Sequence, residues 1–504
     1  MIRTIPMIRT RGLSRTALAL ASAAALLAGC AGGVRHDPLP AVPVPAQWAG
    51  ATPNAATTPV TAAASQAGGP AASDVTASEF WRAFGDPVLD GLIADVLAVN
   101  NDLAAAGIRA YRARLQAGLA DTNLTPSLAI EGKGGVSRSL DTHAMSRSSA
   151  LNATASYELD LWGKLAAQRD AARWEFEATE ADLQAARLSI ISQTAQYYWT
   201  IGYLNQIIAY SESNIAYGER VLALVRSRHA AGAVSALDVA QAEQALADQR
   251  AALTQQWQQR AETRNALAIL FDRPPQQAAA EPSTLPKQAL PAVPAGLPAE
   301  LLGRRPDLRA AELRLRETLA NVDVTRTSFY PTFTLTGSLG TASSTLERVL
   351  ANPIGTLGAG LSLPFIQWNT MQLQIKVSKT QYEEAVVTFR KRLFTALGEV
   401  ENALSARDQL ARESEQRALS LAQAQRAEAL LRSRYLAGAI DIQPWLQQQK
   451  LLRDSQSAEA QVRLNLLNNR MTLYKALGGA DHPADVALGS GAGTAKPADA
   501  NPPA

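Results

Sequence analysis

Arg226-Ser227-Arg228-His229-Ala230-Ala231-Gly232-Ala233 returns 206 residues later as Arg432-Ser433-Arg434-Tyr435-Leu436-Ala437-Gly438-Ala439. Working outward, Asn101-Asp102-Leu103-Ala104-Ala105-Ala106 returns as Pro306-Asp307-Leu308-Arg309-Ala310-Ala311 at a shift of 205. Each copy reaches a proline 25 residues on, Pro126 and Pro331. Between these matches Leu188, Ile191, Ala195 and Tyr198 fall opposite Leu393, Ala396, Val400 and Ala403. Agreement at separated places under one shift reads as a tandem internal repeat. Each half has the same order: helix, two short strands, a very long helix, a break, a helix.

The helices are read from what is missing. Lys164 to Ala231 contains no proline, and only Gly202 and Gly218 interrupt it; Asn369 to Ala437 contains no proline and only Gly398. At 1.5 Å per residue each such helix is roughly 100 Å long. The spacing of Leu188, Ile191, Ala195 and Tyr198 is a coiled-coil seam, and its alanines let helices approach closely. Taken alone, this pattern also suits an ordinary long coiled coil with no transport role.

The strands decide between these readings. Phe333, Leu335 and Leu339 alternate with Thr332, Thr334, Thr336 and Ser338, and Leu357, Ala359, Leu361, Leu363 and Phe365 alternate with Gly358, Gly360 and Ser362. In the first half Leu151, Ala153, Ala155, Tyr157 and Leu159 alternate with Asn152, Thr154, Ser156 and Glu158, and Leu128 and Ile130 begin a weaker partner. Each run has about ten residues, the length of a tilted membrane-spanning strand. Phe329, Tyr330, Trp162 and Trp368 bracket one end, where aromatic rings suit a bilayer interface. A soluble sheet with one buried face would alternate too; the Thr, Ser, Asn and Gly of the other face fit a wet lumen. Four strands cannot close a barrel, and open edges are not tolerated in lipid, so the chain must assemble. Two copies would give eight strands and three would give twelve; the arithmetic does not choose.

The flanks supply an address. Arg3, Arg9, Arg11 and Arg15 precede the apolar stretch Ala17 to Leu27, too short to cross a bilayer as a helix, so residues 1–29 read as a signal peptide. It ends in Leu27-Ala28-Gly29-Cys30, which resembles the bacterial lipobox. Cys30 is the only cysteine in 504 residues and stands where the lipidation chemistry needs it. A signal peptide with a cysteine by chance is the competing reading. Acyl chains on Cys30 would anchor the chain stably, and Ala31, in place of an inner-membrane retention Asp, favours by resemblance the outer membrane. Residues 30–77 then form a lipid-anchored tether rich in Ala, Pro, Thr and Gly. Residues 78–272 form the first repeat, 273–298, with seven prolines, an extended linker, 299–478 the second repeat and 479–504 a disordered tail.

Composition excludes other functions. The 48 Lys and Arg against 45 Asp and Glu give +3, and the signal peptide carries four of the positives. The mature chain is near neutral, which argues against nucleic acid as a partner. One cysteine excludes intrachain disulfides and Cys-based zinc sites, and His36, His143, His229 and His482 stand alone. No nucleophile–base pair, phosphate loop or metal cluster appears, so neither an enzyme nor a cofactor is expected. Pro306-Asp307 and Asp86-Pro87 read as helix starts, and Arg304, Arg305 and Asp307 as structural.

Five segments now carry a resemblance: Phe80-Trp81-Arg82-Ala83-Phe84-Gly85-Asp86-Pro87, Arg304-Arg305-Pro306-Asp307-Leu308, Tyr157-Glu158-Leu159-Asp160-Leu161-Trp162-Gly163, and the two Arg-x-Arg…Ala-Gly segments. Over roughly residues 78–478 the chain resembles the TolC-like outer membrane factors, most of all the NodT-like lipoproteins of resistance-nodulation-division (RND) pumps. The resemblance implies a mainly α fold with a minor β part. A homotrimer would build a 12-stranded transmembrane β-barrel, four strands per chain, continued by a barrel of long helices. It implies a non-enzymatic exit channel in outer-membrane lipid, joined through a periplasmic adaptor to an inner-membrane RND pump. By position, Gly232, Val234, Ser235, Gly438 and Ile440 would belong to the adaptor-contacting tips. Asp238 falls where the family narrows its pore; Pro444 is its second-half equivalent, and Gln447 stands where the family has a further pore aspartate. The resemblance therefore implies an entrance held by Asp238 and amide groups, with Arg228 and Arg434 as candidate partners of tip carboxylates. Asp238 also suits a plain helix cap. A duct for type I protein secretion and a non-transport periplasmic spacer stay as alternatives.

Overall fold

The computed structural model describes residues 44–45, 47–48, 79–277, 279–291, 293, 298, 301–343 and 353–479. The signal peptide, Cys30, most of the tether and the tail lie outside them. The chain divides into two compact units: one holds Tyr111–Glu177 and Glu312–Phe389, the other Val44–Ala110, Ala178–Ala311 and the chain from Arg390 on. The main elements are α1 (Pro87–Val99), α2 (Asn101–Thr122), β1 (Ser127–Arg138), β2 (Met145–Leu159), α3 (Lys164–Ala230), α4 (Ala236–Leu270), α5 (Pro306–Thr327), β3 (Thr332–Ser343), β4 (Pro353–Ser362), α6 (Trp368–Leu436) and α7 (Ile442–Ala476). The order helix, two strands, long helix, helix thus occurs twice. Among the described residues no single helix is long and apolar enough to cross a membrane.

In the first unit the four strands form one antiparallel sheet in the order β1-β2-β3-β4. Leu128 pairs with Ala155 and Ile130 with Ala153; Ala153 pairs in turn with Leu339, Tyr157 with Leu335 and Leu159 with Phe333. Phe333 pairs with Leu361, Leu335 with Ala359 and Gly337 with Leu357. Partners directly opposite share a face, so the apolar alternation of all four strands lands on one side. Thr154, Ser338 and Thr356 lie together on the other. The strands run to 12, 15, 12 and 10 residues, so three exceed the expected length. The extra ladder joins Ser146, Arg147 and Ser148 to Ser137, Val136 and Gly135, where no apolar alternation marks it. Leu363 and Phe365 fall outside β4, because Pro364 cannot donate to a ladder and opens a turn of 3-10 helix instead.

The long helices start and stop for local reasons. Asp160 accepts from the backbone N–H of Leu165 and Ala166 at 3.1 and 2.8 Å, satisfying two orphan donors at the start of α3. Asp86 caps α1 through Val88 and Leu89, with Pro87 as first residue, as its sequence position predicts. In the second unit seven of the eight expected seam residues are buried, Ile191, Ala195, Tyr198, Leu393, Ala396, Val400 and Ala403, and Leu188 is half-buried. Phe80, Trp81 and Phe84 are buried with them; Phe80 stacks on Tyr474 and Phe84 tilts against Trp199 at 4.9 Å. Tyr198 donates to Asp86, and burial, then that carboxylate, push its phenol pKa up.

The described part of the proline-rich segment is tied down. Pro282 accepts from Asn205, Pro286 and Gln288 accept from Arg463, and Glu281 pairs with Arg264. Leu285 is buried. This strap explains Gly202 in mid-helix: a Cβ there would meet Pro282 Cγ at 2.9 Å.

Candidate functional site

The sheet is the first component. β1 and β4 are its edges and are solvent-exposed along their whole lengths. Leu128, Ile130, Leu339, Leu357 and Leu361 are all exposed, a contiguous apolar face that a monomer in water would not carry. At its aromatic end Trp162 donates from Nε1 to the Pro331 carbonyl at 2.7 Å and meets Tyr330 edge-on at 5.6 Å. Trp368 is exposed. Phe329, expected with them, is instead buried. Below the strands Arg314 pairs with Glu175, and the Arg316 guanidinium lies 5.3 Å from the Trp174 ring centre. Burial, and then the Glu175 charge, raise the neighbouring Glu317 pKa to about 6.

The helical tips, in the second unit, are the other component. Gly232 has φ +72° and Gly438 φ +73°, the left-handed conformation that ends a helix cheaply only in glycine. The same bonds close both turns: Gly232 N–H to His229 and Ala233 N–H to Arg228, then Gly438 N–H to Tyr435 and Ala439 N–H to Arg434. A cavity of about 680 Å³ between the tips is lined by Val234, Ser235, Asp238, Gly438 and Ile440 among others. Gly232 and Gln447 do not line it; Gln447 is exposed on α7.

The tips differ in how the next helix begins. Ser235 caps α4, and Asp238 Oδ2 accepts from the Ser235 N–H and hydroxyl, both at 2.8 Å, completing a capping box. The Asp238 carboxylate is therefore engaged by its own helix. Asp441 caps α7 by position without a side-chain bond, and Pro444 occupies the first turn. The amide pair between the tips is Gln241 to Gln443 at 2.5 Å.

Arg228 does not meet a tip carboxylate. Its fork donates to the carbonyls of Tyr435 and Leu436, each at 3.0 Å, and its guanidinium sits 4.7 Å from the Tyr435 ring. It thus neutralises the negative end of α6, where four carbonyls lack intrahelical donors. Arg434 is exposed. Sequence reasoning missed the brace behind the tips: Glu428 accepts from Tyr217 Oη at 3.1 Å and Trp445 Nε1 at 2.9 Å. Burial, then the Glu428 charge, push the Tyr217 phenol pKa up. Trp445 in an Ala- and Gln-rich helix, opposite Val239 in the other repeat, was the available signal.

The family model described as outer membrane efflux protein matches residues 92–271 and 297–479. The chain is 35% identical over 420 residues to the pyoverdine export outer membrane protein OpmQ of Pseudomonas aeruginosa, covering 81% of this chain and 88% of that one. It is 30% identical over 480 residues to the toluene efflux pump outer membrane protein TtgC of Pseudomonas putida, covering 93% and 96%. Its fold matches the open state of the MtrE outer membrane channel of Neisseria gonorrhoeae with TM-score 0.70 and 30% identity, over 78% of this chain and 89% of that one.

Proposed function

The chain belongs to the outer membrane efflux protein family and is an outer-membrane exit channel, and we propose that it works as a homotrimer conducting small molecules from periplasm to exterior. One observation carries the reading: an even-stranded antiparallel sheet with an apolar face and two open edges. In such a sheet the free edges of β1 and β4 run in opposite directions, so copies join head to tail and close. Three copies make twelve strands, with Thr154, Thr336 and Thr356 facing the lumen and Leu335, Leu357 and Leu361 facing lipid.

In the same reading the tips receive a periplasmic adaptor at Gly232, Val234, Ser235, Gly438 and Ile440. An inner-membrane pump of the RND type supplies the energy; the chain itself is a passive duct and not an enzyme. Asp238 narrows the entrance while its second role, capping α4, holds it in place; Gln447 faces the same pore from α7. Trp162, Tyr330 and Trp368 mark the periplasmic edge of the bilayer, and Cys30 carries the acyl anchor. Efflux-named relatives, and the relative named for pyoverdine export, favour small-molecule cargo. In planar bilayers the purified protein is expected to give stepwise conductance, and its deletion to sensitise cells to part of a drug and metal panel. A chain that inserts no channel and whose loss changes no tolerance is a spacer, and this reading fails.

A further inference from the structure

We propose that the outward face of the β1–β2 hairpin binds a phosphate group of the outer-leaflet glycolipid between Arg138 and Arg147. The site rests on the barrel reading above, and adds to it a lipid held at the exterior rim.

Register decides the face. On β2, Leu159, Tyr157, Ala155, Ala153 and Leu151 belong to the apolar side, and the same alternation continues through Ser149 to Arg147. On β1 it runs from Leu128 and Ile130 to Val136 and Arg138. The ladder is unbroken over this length, pairing Val136 with Arg147 and Arg138 with Met145. Both arginines therefore stand on the lipid-facing side. They are diagonal neighbours, with backbones about 7–8 Å apart, within reach of one shared ligand for side chains this long.

Height decides the level. From Leu159 to Arg147 the strand climbs roughly 40 Å along its own axis, and roughly 30 Å vertically at the usual barrel tilt. The apolar band of such a barrel is about 25 Å tall. Leu151 falls inside that band and Arg147 just above it, among headgroups. An arginine on the lipid face is costly at the bilayer midplane and tolerated near the interface, so charge and height agree.

Neither guanidinium has a partner in the chain. Both residues are exposed, and among the described residues neither side chain makes an ion pair or a hydrogen bond. Lys133 is the contrast: it lies on the lumenal face and pairs with Glu131 at 2.8 Å. Asp141, in the turn, is the only acid between Gly132 and Ala150. The other hairpin has no such pair, since the repeat shifts of 205 and 206 carry Arg138 to Ser343 and Arg147 to Pro353. The cations are thus no general need of the sheet. Two guanidinium forks suit phosphate oxygens bidentately. Val136 and Met145, both exposed on the same face, supply apolar contact beside them. The outer-leaflet glycolipid has the matching order, phosphates on its sugar headgroup above acyl chains that would lie along Leu151 and Ile130.

Native mass spectrometry of the full-length protein, incubated in detergent with a defined lipid, counts the molecules retained. The parent is expected to retain bisphosphorylated lipid A at least tenfold more than its phosphate-free form or phosphatidylglycerol. Arg138→Gln combined with Arg147→Gln should lower that retention at least tenfold. Lysine at both positions keeps the charge without the fork and should fall between. Lys133→Gln, across the sheet, should match the parent. Equal retention of lipid A with and without its phosphates overturns the site, whatever the variants do. A double glutamine variant that retains as much as the parent overturns it too. Equal retention of phosphatidylglycerol marks a general anionic-lipid surface, and displacement by inorganic phosphate a free-anion site; either overturns the assignment. Planar-bilayer conductance of the same preparations separates the levels. A conducting parent that retains no lipid A loses the site and keeps the channel, whereas a parent that forms no channel loses both.

Discussion

The two repeats solve the same problems with different residues. At the equivalent positions 100 and 305, Asn100 donates to the Leu270 carbonyl at 2.9 Å and Arg305 to the Ala476 carbonyl at 3.2 Å. Both tie the entry helix of a repeat to the last turn of its final helix. Asn100 does so as a neutral amide that also caps α2 through Leu103 N–H. Arg305 does so as a buried cation, held by both Asp307 oxygens and by Glu399 at 2.7 Å. Burial opposes the Asp307 charge, but the Arg305 guanidinium outweighs it and holds the Asp307 pKa below its usual value. The two halves therefore share backbone geometry but not chemistry, and the second concentrates charge where the first has an amide.

That contrast can be broken by substitution. Arg305→Ala leaves the Ala476 carbonyl without its donor and the half-exposed Asp307 and Glu399 without their partner, and is expected to cost about 2–3 kcal/mol, against about 1–2 for Asn100→Ala. Thermal unfolding in detergent reads both, and equal losses would mean that the ion cluster adds nothing to the tether. At the tips, Trp445→Ala should cost about 3–4 kcal/mol and Val239→Ala about 1, because the tryptophan is fully buried and engages Glu428 whereas Val239 is a partly buried neighbour of the same cluster. The turns should behave alike. An added Cβ at Gly232 or Gly438 meets nothing within 4 Å, so alanine at either costs only its left-handed strain, about 1 kcal/mol. A twofold difference between them would contradict the equivalence of the turns.

Smaller effects sharpen the comparison. Ser235→Ala loses a capping box and about 1 kcal/mol, whereas Asp441→Ala, with no cap bond to lose, should shift stability by a few tenths. Glu317 is the equivalent of Arg112 and titrates near 6, above the ordinary 4.5. The folded chain holds that proton more tightly than the unfolded one, so stability falls as pH rises from 4.5 through about 6. Glu317→Gln should flatten that slope and gain about 1 kcal/mol at pH 7.5, after allowance for solvent screening. A variant that follows the parent pH curve would assign the slope to another group.

Much of this was legible in the sequence because it is written in periodicity. Alternation in Leu151–Leu159 and Phe333–Leu339 gave strand faces that the register then matched, since a one-residue slip would have reversed every side chain. The absence of proline bounded α3 and α6 to within a residue or two. Long-range contacts that obey no period were not legible. The ends of β1 and β2 continue on Ser and Arg, where hairpin geometry rather than hydropathy sustains the ladder. The strap over Gly202 depends on Pro282, 80 residues away. At the candidate entrance, the charged residues were found but not their partners. Asp238 turns onto Ser235, and Arg228 onto the carbonyls of another helix, because helix ends compete for polar side chains more locally than pattern suggests.

The central claim is that two repeats with two strands apiece form a conduit only when sister chains close their open edges. Native mass spectrometry of the detergent-purified full-length protein counts the chains directly. One dominant species of three chains is expected, dissociating only as the sheet unfolds. A dominant monomer that keeps its sheet, with β1 and β4 unpaired, would contradict it.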